Sequence, residues 1–336
     1  MAEIKNKKSA QRTRLEMVIP LRTPFELQLA VSSACNFKCI YCPTPGPRAA
    51  RASRVPKGVM AFGLFTKIID DLEGFPDKIK VLRLMREGEP LLNKRLADMV
   101  RYAKSRQPEV KVDTTTNASL LTRELSDDLI DSGLDKLFIS LQGMKAQAYK
   151  KLSGVDIDFE KLIENVIYFC AHRKNCKVFI KVPDIGVTDP EKAEFFKLFD
   201  KHADELFVER IFPAWPNFDV SHLQKDRGMG YYGRPVRAQP VKVCTLPFYD
   251  LTVDHRGIVT ACSIDWEGKT DLGDVKKQSL YEIWNGRKFN DFRRMQLRGG
   301  RFGHALCGKC PSLEYCEPDI IDEYAAGLLE RYKTLP

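Results

Sequence analysis

Three cysteines near the N-terminus, Cys35, Cys39 and Cys42, are spaced so that a single loop can bring their thiolates to one metal centre. Iron–sulfur clusters usually take four protein thiolates. A set of three leaves one iron without a protein ligand, and catalytic metal sites keep such an open position for water or substrate. The spacing therefore favours a catalytic iron–sulfur site. On these cysteines alone, a zinc knot and three unrelated thiols are the alternatives.

The run from Cys35 to Cys42 resembles the CxxxCxxC signature of the radical S-adenosylmethionine (SAM) superfamily, in which an aromatic residue, here Tyr41, precedes the last cysteine. The resemblance implies a 4Fe–4S cluster whose open iron binds the amino and carboxylate groups of SAM, with Tyr41 among the residues around the cofactor. It also implies that one electron, from a low-potential donor such as flavodoxin or ferredoxin, cleaves SAM to a 5′-deoxyadenosyl radical. That radical abstracts a hydrogen atom from the substrate.

Alternating apolar runs and amphipathic stretches between residues 25 and 212 form the elements that must position this loop. The predicted strands are Phe25–Val31, Ile79–Met85, Val110–Thr116, Lys136–Leu141, Cys176–Val182 and Leu206–Phe212. Helical patterns lie between them, and six strand–helix units imply parallel strands joined by right-handed crossovers. Six units are too few to close an eight-stranded barrel. The predicted fold class is α/β, a partial (β/α)6 barrel like that of radical SAM enzymes, and an open doubly wound sheet is the alternative.

Polar motifs follow successive predicted strands, where parallel α/β folds collect their active-site groups. Gly88-Glu89-Pro90 resembles the end of the family's Gly-Gly-Glu-Pro motif, with Glu87 in place of the first glycine. The resemblance implies that this motif binds the amino group of SAM, for which a carboxylate supplies an acceptor. The other SAM contacts that it implies are Asn117 at the ribose, Ser140 at the ribose or carboxylate, and Lys181, which would neutralise the carboxylate.

A second set of cysteines, Cys244, Cys262, Cys307, Cys310 and Cys316, lies in the C-terminal third of the chain. Four thiolates can complete a cluster with no open iron, and by chemistry alone a tetrahedral zinc site is the competitor. The arrangement resembles the SPASM and Twitch auxiliary-cluster domains, and the separations of the first four cysteines resemble those in the single-cluster Twitch domain of an aminocyclitol dehydrogenase. The resemblance implies one auxiliary 4Fe–4S cluster on those four cysteines. Cys316 is then an alternative ligand or a free thiol.

Composition divides the chain into five segments. They are a basic N-terminal extension (1–24), the radical SAM partial barrel (25–212), a Gly/Pro-rich linker or substrate loop (213–240), the SPASM/Twitch domain (241–318) and a C-terminal helix (319–336). Long irregular segments are more often functional than idle. In this one, Trp215, Tyr231 and Tyr232 either line a pocket or pack on the barrel rim. Cys170 and Cys176 lie on apolar faces of a helix and a strand and are predicted to be buried structural thiols.

Charge and cysteine content limit the function classes. The formal net charge is +9, but most basic residues alternate with acids, which favours a solvated surface over nucleic-acid binding; an anionic small-molecule substrate is the alternative explanation of the excess. No run of eighteen apolar residues occurs and no secretory signal is present, which excludes a membrane span of that kind. Ten cysteines without such a signal indicate a reducing compartment. We therefore predict a cytoplasmic protein.

These features predict a radical SAM oxidoreductase that acts on a polar small molecule such as a sugar, aminocyclitol or nucleotide sugar. Oxidation of an alcohol to a ketone releases one electron after hydrogen abstraction, and an auxiliary cluster can accept it. Modification of a peptide or protein, and epimerisation with Cys316 as hydrogen donor, are the alternatives. Only 24 residues precede the first predicted strand, which is an argument against a peptide leader-binding domain. Asp265 and Glu267 are candidate bases.

Overall fold

The computed structural model describes residues 13–43, 53–231, 233–316 and 318–335. Residues 1–12 of the basic extension and Tyr232 lie outside the described residues. Among those described, nine strands form one sheet in the order β6-β5-β4-β3-β2-β1-β7-β8-β9. The strands are β1 (Glu26–Leu29), β2 (Val81–Arg83), β3 (Lys111–Thr116), β4 (Lys136–Ser140), β5 (Lys177–Pro183), β6 (Glu205–Glu209), β7 (Asp250–Val253), β8 (Ile258–Thr260) and β9 (Gly273–Asp274).

Strands β1 to β6 are parallel, and their order across the sheet is their order along the chain. Each overlaps one of the six predicted strands. Because the six strands are parallel, their carboxyl ends all lie at one edge, where the loops that follow them meet. The predicted α/β fold with a partial barrel is confirmed.

The C-terminal segment extends the same sheet. Strand β7 pairs in parallel with β1, in register from Glu26 opposite Asp250 to Leu29 opposite Val253. Strands β8 and β9 then add antiparallel neighbours. Leu251 and Val253 are fully buried, so β7 covers the edge of β1 and shares the barrel core. β7 is not among the predicted strands, and its pairing makes β1 an interior strand.

The α-helices within the described residues cover this sheet and its ends. They are α1 (Leu15–Val18), α2 (Phe62–Asp70), α3 (Leu96–Arg106), α4 (Arg123–Asp131), α5 (Ala146–Ser153), α6 (Phe159–His172), α7 (Asp189–Phe199), α8 (Leu246–Tyr249), α9 (Leu280–Asn285), α10 (Arg287–Leu297), α11 (Ser312–Tyr315) and α12 (Ala325–Lys333). The starts of α4, α6 and α7 are capped by Thr122, Asp158 and Thr188, whose side chains accept backbone N–H groups of the first turn. None of these helices is long and apolar enough to cross a membrane.

Two apolar clusters stabilise the fold. The larger lies between the sheet and helices α2 to α7, and it contains Cys170 and Cys176 as buried thiols, as predicted. The smaller joins the two ends of the chain, because Leu15 and Ile19 pack with Leu328 and Tyr332 of α12. The terminal helix is thus part of the folded body.

Residues 213–240 contain no α-helix or sheet strand where they are described, only a 3-10 turn at Ser221–Leu223. The segment is nevertheless held in place. The backbone N–H of Tyr231 donates to the carbonyl of Tyr315 over 2.9 Å, and that of Arg237 donates to Glu314 over 3.2 Å. The Phe212 ring stacks on Tyr315 with centroids 5.6 Å apart. The segment therefore packs against the residues that precede Cys316.

Candidate active site

The loop that carries the first three cysteines is fixed by backbone hydrogen bonds to helix α5. The N–H groups of Lys38 and Ile40 donate to the carbonyls of Ser153 and Leu152, each over 2.9 Å. Within the loop the N–H of Cys42 donates to the carbonyl of Cys39 over 3.1 Å. A loop that is fixed by backbone hydrogen bonds holds its side chains in one arrangement before any metal is coordinated.

The three thiols lie close enough to affect one another's ionisation. Burial, together with the charge of Cys42, raises the pKa of Cys35 to about 11 and that of Cys39 to about 12. Free thiols in this environment stay protonated at neutral pH. Coordination to metal ions is what would convert them to thiolates, since a coordinating thiol loses its proton. The set thus fits a metal centre better than a reactive nucleophile.

Gln142, just after β4, lies at the predicted strand-end mouth but was not among the predicted cofactor contacts. Its Oε1 accepts the Tyr41 hydroxyl and lies 3.6 Å from the Cys39 Sγ, and its Nε2 donates to the Ser140 carbonyl over 3.2 Å. Ser153 Oγ lies 3.3 Å from the same sulfur. Hydrogen bonds to cluster sulfurs tune reduction potential. The rule that strand ends collect active-site groups would have selected Gln142.

The Gly88-Glu89-Pro90 motif contacts the cysteine loop through its backbone. The N–H of Glu89 donates to the carbonyl of Ala34 over 2.8 Å. Gly88 has φ +81°, and a Cβ there would lie 2.4 Å from the Ala34 oxygen and 2.7 Å from the Ser32 oxygen. Only glycine allows this approach at that φ.

The Glu89 carboxylate is largely engaged by the protein itself. It accepts the Leu91 N–H (3.0 Å), the Thr116 hydroxyl (2.6 Å) and the Asn117 N–H (2.7 Å). About three of its four lone-pair positions are therefore in use. Asn117 in turn donates from Nδ2 to Asn36 Oδ1 over 2.9 Å and so reaches the cysteine loop. These two residues connect the ends of β2 and β3 to the loop after β1.

Lys181 does not stand free at the site, as a residue reserved for the SAM carboxylate would. Its Nζ lies 2.6 Å from Glu209 Oε1, at the ends of β5 and β6. Lys57 is the cation beside the first cysteines. Burial lowers its pKa, while the charges of Glu87, Cys42 and Cys35 act in the opposite direction. Glu209 was not among the predicted site residues; it lies within the predicted strand Leu206–Phe212 and is the last residue of β6.

Four of the five C-terminal cysteines line one cavity. They are Cys244, Cys262, Cys307 and Cys310, and the other lining residues are Pro216, Leu246, Ile264, Arg301, Leu306, Ser312 and Leu313. Burial raises the pKa of all four thiols, to about 12 for Cys244 and about 11 for Cys307. Cys316 is outside the lining, with its Sγ 3.6 Å from Ser312 Oγ. Cys316 still lies near enough to raise the pKa of Cys310.

In the part of the chain that the structure describes, no group of three or more His, Cys, Asp or Glu side chains is close enough to hold a single metal ion. Both cysteine sets are therefore more open than a site for one ion. A 4Fe–4S cluster takes its thiolates on different irons, so its ligands need not converge on one point.

The two cysteine sites are connected by Arg86 and Glu87, which follow β2. Arg86 donates from Nε to the Ser263 carbonyl (3.1 Å) and from Nη2 to the Asp265 carbonyl (2.8 Å), immediately after Cys262. Its side chain is fully buried and its Nε lies 3.1 Å from Glu87 Oε1. Glu87, which stands in place of the motif's first glycine, thus forms a buried ion pair with Arg86 between the two sites.

The two candidate bases are occupied by structural contacts. Asp265 accepts the N–H groups of Lys269 and Thr270 and is fully buried. Glu267 accepts Asn217 Nδ2 over 2.6 Å and pairs with Lys269 over 2.8 Å. Both carboxylates stabilise the turn after Cys262, so the expectation that they act as bases finds no support in their contacts.

Comparison with known proteins bears on both parts of the chain. A family model for the radical SAM superfamily matches residues 29–198, slightly more than half of the chain, and one for an iron–sulfur cluster-binding domain, SPASM, matches residues 244–311. The predicted family and auxiliary domain are confirmed.

Full-length relatives are distant in sequence. The tungsten-containing aldehyde ferredoxin oxidoreductase cofactor-modifying protein of Pyrococcus furiosus is 24% identical, over 87% of this chain and 88% of that protein. The SAM-dependent 2-deoxy-scyllo-inosamine dehydrogenase of Niallia circulans is 23% identical, over 84% and 91%. The crystal structure of BtrN in complex with AdoMet and 2-DOIA is 20% identical, with a TM-score of 0.53 over 85% of this chain and 92% of that chain.

The cofactors that these domains imply are SAM and 4Fe–4S clusters. The residues present fit them, since two groups of half-buried or buried thiols lie at the mouth of the barrel and in the C-terminal segment, and most of them have raised pKa values. On these grounds, the protein belongs to the radical SAM superfamily.

Proposed function

We propose that this enzyme oxidises an alcohol group of a polar small molecule, such as a sugar, aminocyclitol or nucleotide sugar, to a ketone. The observation that carries the proposal is the cavity lined by Cys244, Cys262, Cys307 and Cys310, behind the barrel mouth. A dehydrogenation started by hydrogen abstraction leaves one electron and one proton to be removed. A second redox centre within the same folded body would accept the electron.

The ligand assignments follow from the two thiol sets. Cys35, Cys39 and Cys42 would hold the SAM-binding cluster, and the four cavity cysteines the auxiliary one. When bound, these cofactors supply a 5′-deoxyadenosyl radical that takes a hydrogen atom from the substrate, and an acceptor for the remaining electron. The Ser153 hydroxyl would donate a hydrogen bond toward Cys39, Gln142 Oε1 holds the Tyr41 hydroxyl beside it, and Glu89 and Asn117 hold the loop behind it.

The residues proposed to surround SAM are Tyr41, Gly88, Glu89, Pro90, Asn117, Ser140 and Lys181. To these we add Lys57, because its ammonium group lies near Cys35, Cys42 and Glu87. Lys181 is then the cation of a strand-end ion pair with Glu209. Such a pair, about four-fifths buried on each side, suits a substrate that offers several hydroxyl or amino groups.

The relatives support a small-molecule substrate. The two that cover most of this chain are named for a dehydrogenase of 2-deoxy-scyllo-inosamine and for a protein that modifies a cofactor. Others are GTP 3′,8-cyclases. The positive net charge is compatible with an anionic member of this class.

An electron must also enter the first cluster, and the surface beside its loop is suited to an acidic carrier protein. Lys38 and Ile40 are exposed and flank Cys39, and Lys151 of α5 is exposed next to them. Basic groups around an apolar residue favour docking of an acidic partner. We therefore propose a low-potential carrier of the flavodoxin or ferredoxin type as the donor.

Single cysteine replacements test the assignment. After anaerobic reconstitution the unmodified protein should hold about eight iron atoms, and Cys39→Ala and Cys262→Ala about four each. Cys39→Ala should form no 5′-deoxyadenosine. Cys262→Ala should still form it, because the first cluster is intact, but should yield no ketone. Iron content, 5′-deoxyadenosine and product are measured on the same samples.

Cys170→Ala serves as the matched control, since it also removes a buried thiol but lies in the barrel core on α6. It should retain about eight iron atoms. Formation of 5′-deoxyadenosine by Cys39→Ala would overturn the radical SAM assignment of that loop. Zinc at the second site of the unmodified protein would overturn the auxiliary cluster.

A further inference from the structure

Arg301 is a buried cation in the wall of the four-cysteine cavity. It lies in the 3-10 turn Gly300–Gly303 after α10 and is 2% exposed. Its Nη1 donates to the Val241 carbonyl, and its Nη2 donates to the carbonyls of Cys307 (3.4 Å) and Cys310 (3.1 Å). Its Nε is buried and has no hydrogen-bond partner. The guanidinium is thus fixed by the backbone of two of the cysteines that line the cavity.

The contacts of the Arg301 guanidinium are with neutral groups. Among the described residues, no Asp or Glu forms an ion pair with this guanidinium; its contacts are carbonyl oxygens and the Phe302 ring, 5.0 Å away. An uncompensated buried charge costs several kcal/mol. An anion inside the cavity would remove that cost. The charge of Arg301 also lowers the pKa of Cys244, Cys307 and Cys310, against the effect of burial.

A second buried arginine, Arg293, also donates to backbone carbonyls and has one guanidinium nitrogen without a hydrogen-bond partner, but its surroundings differ. Arg293 is also 2% exposed, but its guanidinium lies 3.9 Å from the Trp284 ring and 4.2 Å from the Phe289 ring. It also donates to Asn290 Oδ1 over 2.8 Å. Arg293 is therefore enclosed by aromatic faces, away from any cysteine cavity, whereas Arg301 faces four thiols.

We propose that Arg301 is the counter-ion of the auxiliary cluster and raises its reduction potential. The inference rests on the proposed function, in which that cavity holds a 4Fe–4S cluster. A cluster with four thiolates is anionic, and reduction adds one electron and one more negative charge. A fixed cation in a poorly solvated wall stabilises the reduced form more than the oxidised form. No bond to Arg301 forms or breaks, and the electron supplied by the substrate stays on the cluster.

One acid opposes this effect. The charge of Asp265 raises the pKa of Cys262 and Cys307. Its oxygens are directed into its own turn, where they accept from Lys269, Thr270 and the Thr270 hydroxyl. Arg301 lies on the side of Cys307 and Cys310, so the two charges act on the cluster from different elements. Removal of the arginine would leave the acid unopposed.

The test is a potentiometric titration of the reconstituted full-length protein, followed by electron paramagnetic resonance. Arg301→Gln should shift the reduction equilibrium of the auxiliary cluster by at least about tenfold toward the oxidised form, which is about 59 mV for a one-electron couple. Arg301→Lys keeps the charge and should restore most of the original potential. The SAM-binding cluster of the same sample is the internal control, and its potential should not change.

Arg301 also donates to three carbonyl oxygens, so its replacement could change the local structure as well as the charge. A second variant that leaves Arg301 in place is therefore needed. Ser312 lines the same cavity and is half-buried, and Ser312→Asp would place a negative charge opposite Arg301. Like Arg301→Gln, Ser312→Asp should lower the reduction potential of the auxiliary cluster. Unchanged potentials in both Arg301→Gln and Ser312→Asp would overturn the inference while leaving two clusters and the proposed function intact. If the unmodified protein shows only one cluster, the proposed function fails as well.

Discussion

At the scale of single residues, Glu89 determines how the Gly88-Glu89-Pro90 turn is held. Its carboxylate joins the turn after β2 to the end of β3 through three hydrogen bonds, and it is 2% exposed. Burial raises the pKa of Glu89 to about 6, and the hydrogen bonds from Asn117, Thr116 and Leu91 limit the rise. This acid therefore titrates within the range in which enzymes are usually assayed.

The raised pKa gives a prediction for stability against pH. A carboxyl whose pKa is higher in the folded than in the unfolded chain contributes stability at low pH, and this contribution is lost as the pH rises through the folded value. From the ordinary 4.5 to about 6, the loss attributable to Glu89 is roughly 2 kcal/mol between pH 4.5 and pH 7. Urea unfolding of the cluster-free protein at several pH values measures it.

Glu89→Gln is the variant that isolates this effect. It should be less stable at every pH, because the amide NH2 faces a donor, but its free energy of unfolding should fall less steeply with pH. Asp113, whose pKa burial also raises to about 6, is present in both proteins and cancels in the difference. Parallel curves for the two proteins would contradict the prediction.

The residue types at the site could be predicted from sequence, but several of their partners could not. Lys181 was expected to meet SAM, and it lies against Glu209 because β5 and β6 pair with Val182 opposite Val208. That register depends on tertiary packing, which a strand's own residues do not specify. Arg301 likewise looks like an ordinary surface arginine in sequence, since its burial comes from the turn around Cys307 and Cys310.

At the scale of elements, the turn after β2 depends on Gly88. Gly88→Ala would place a Cβ 2.4 Å from the Ala34 carbonyl oxygen at a φ of +81°. The backbone cost alone is about 1–2 kcal/mol, and the clash would displace the loop before Cys35. We expect a loss of stability above about 2 kcal/mol and a lower iron content at the first site. Urea unfolding and iron analysis measure both.

Gly63→Ala is the matched control for this substitution. Gly63 lies in the first turn of α2, and a Cβ there has nothing within 4 Å. The change should be neutral or stabilise the protein by up to about 1 kcal/mol, because alanine is the better helix residue. Equal stability of Gly88→Ala and Gly63→Ala would show that the turn after β2 tolerates a side chain.

The six parallel strands were predictable because each has an apolar run followed by polar residues at its end. Strand β7 (Asp250–Val253) was not, since it lies outside the strand–helix alternation and pairs with β1 from the far end of the chain. The place of β7 in the sheet follows only from the tertiary structure, in which the edge of β1 would otherwise lack a pairing strand. The boundary predicted before residue 241 consequently divides the sequence at a place where the sheet does not end.

At the scale of the whole molecule, this continuous sheet predicts how the chain unfolds. Leu251 and Val253 of β7, and Trp284 of α9, belong to the same apolar cluster as the barrel strands. A shared core and a shared sheet couple the two parts, so loss of one exposes the other. We therefore expect the cluster-free protein to unfold in a single transition, although its two halves match two different family models.

The three tryptophans, Trp215, Trp266 and Trp284, all lie beyond the six barrel strands, so fluorescence reports mainly on the C-terminal part. Far-UV circular dichroism reports mainly on the barrel, which holds most of the longer helices and strands. Coincident urea transitions by the two probes are expected, because β1 cannot keep its pairing once β7 leaves. A fluorescence transition at clearly lower urea would mean that the C-terminal part unfolds alone. In that case the hydrogen bonds of Arg86 to Ser263 and Asp265 would act across a separable interface rather than within one core.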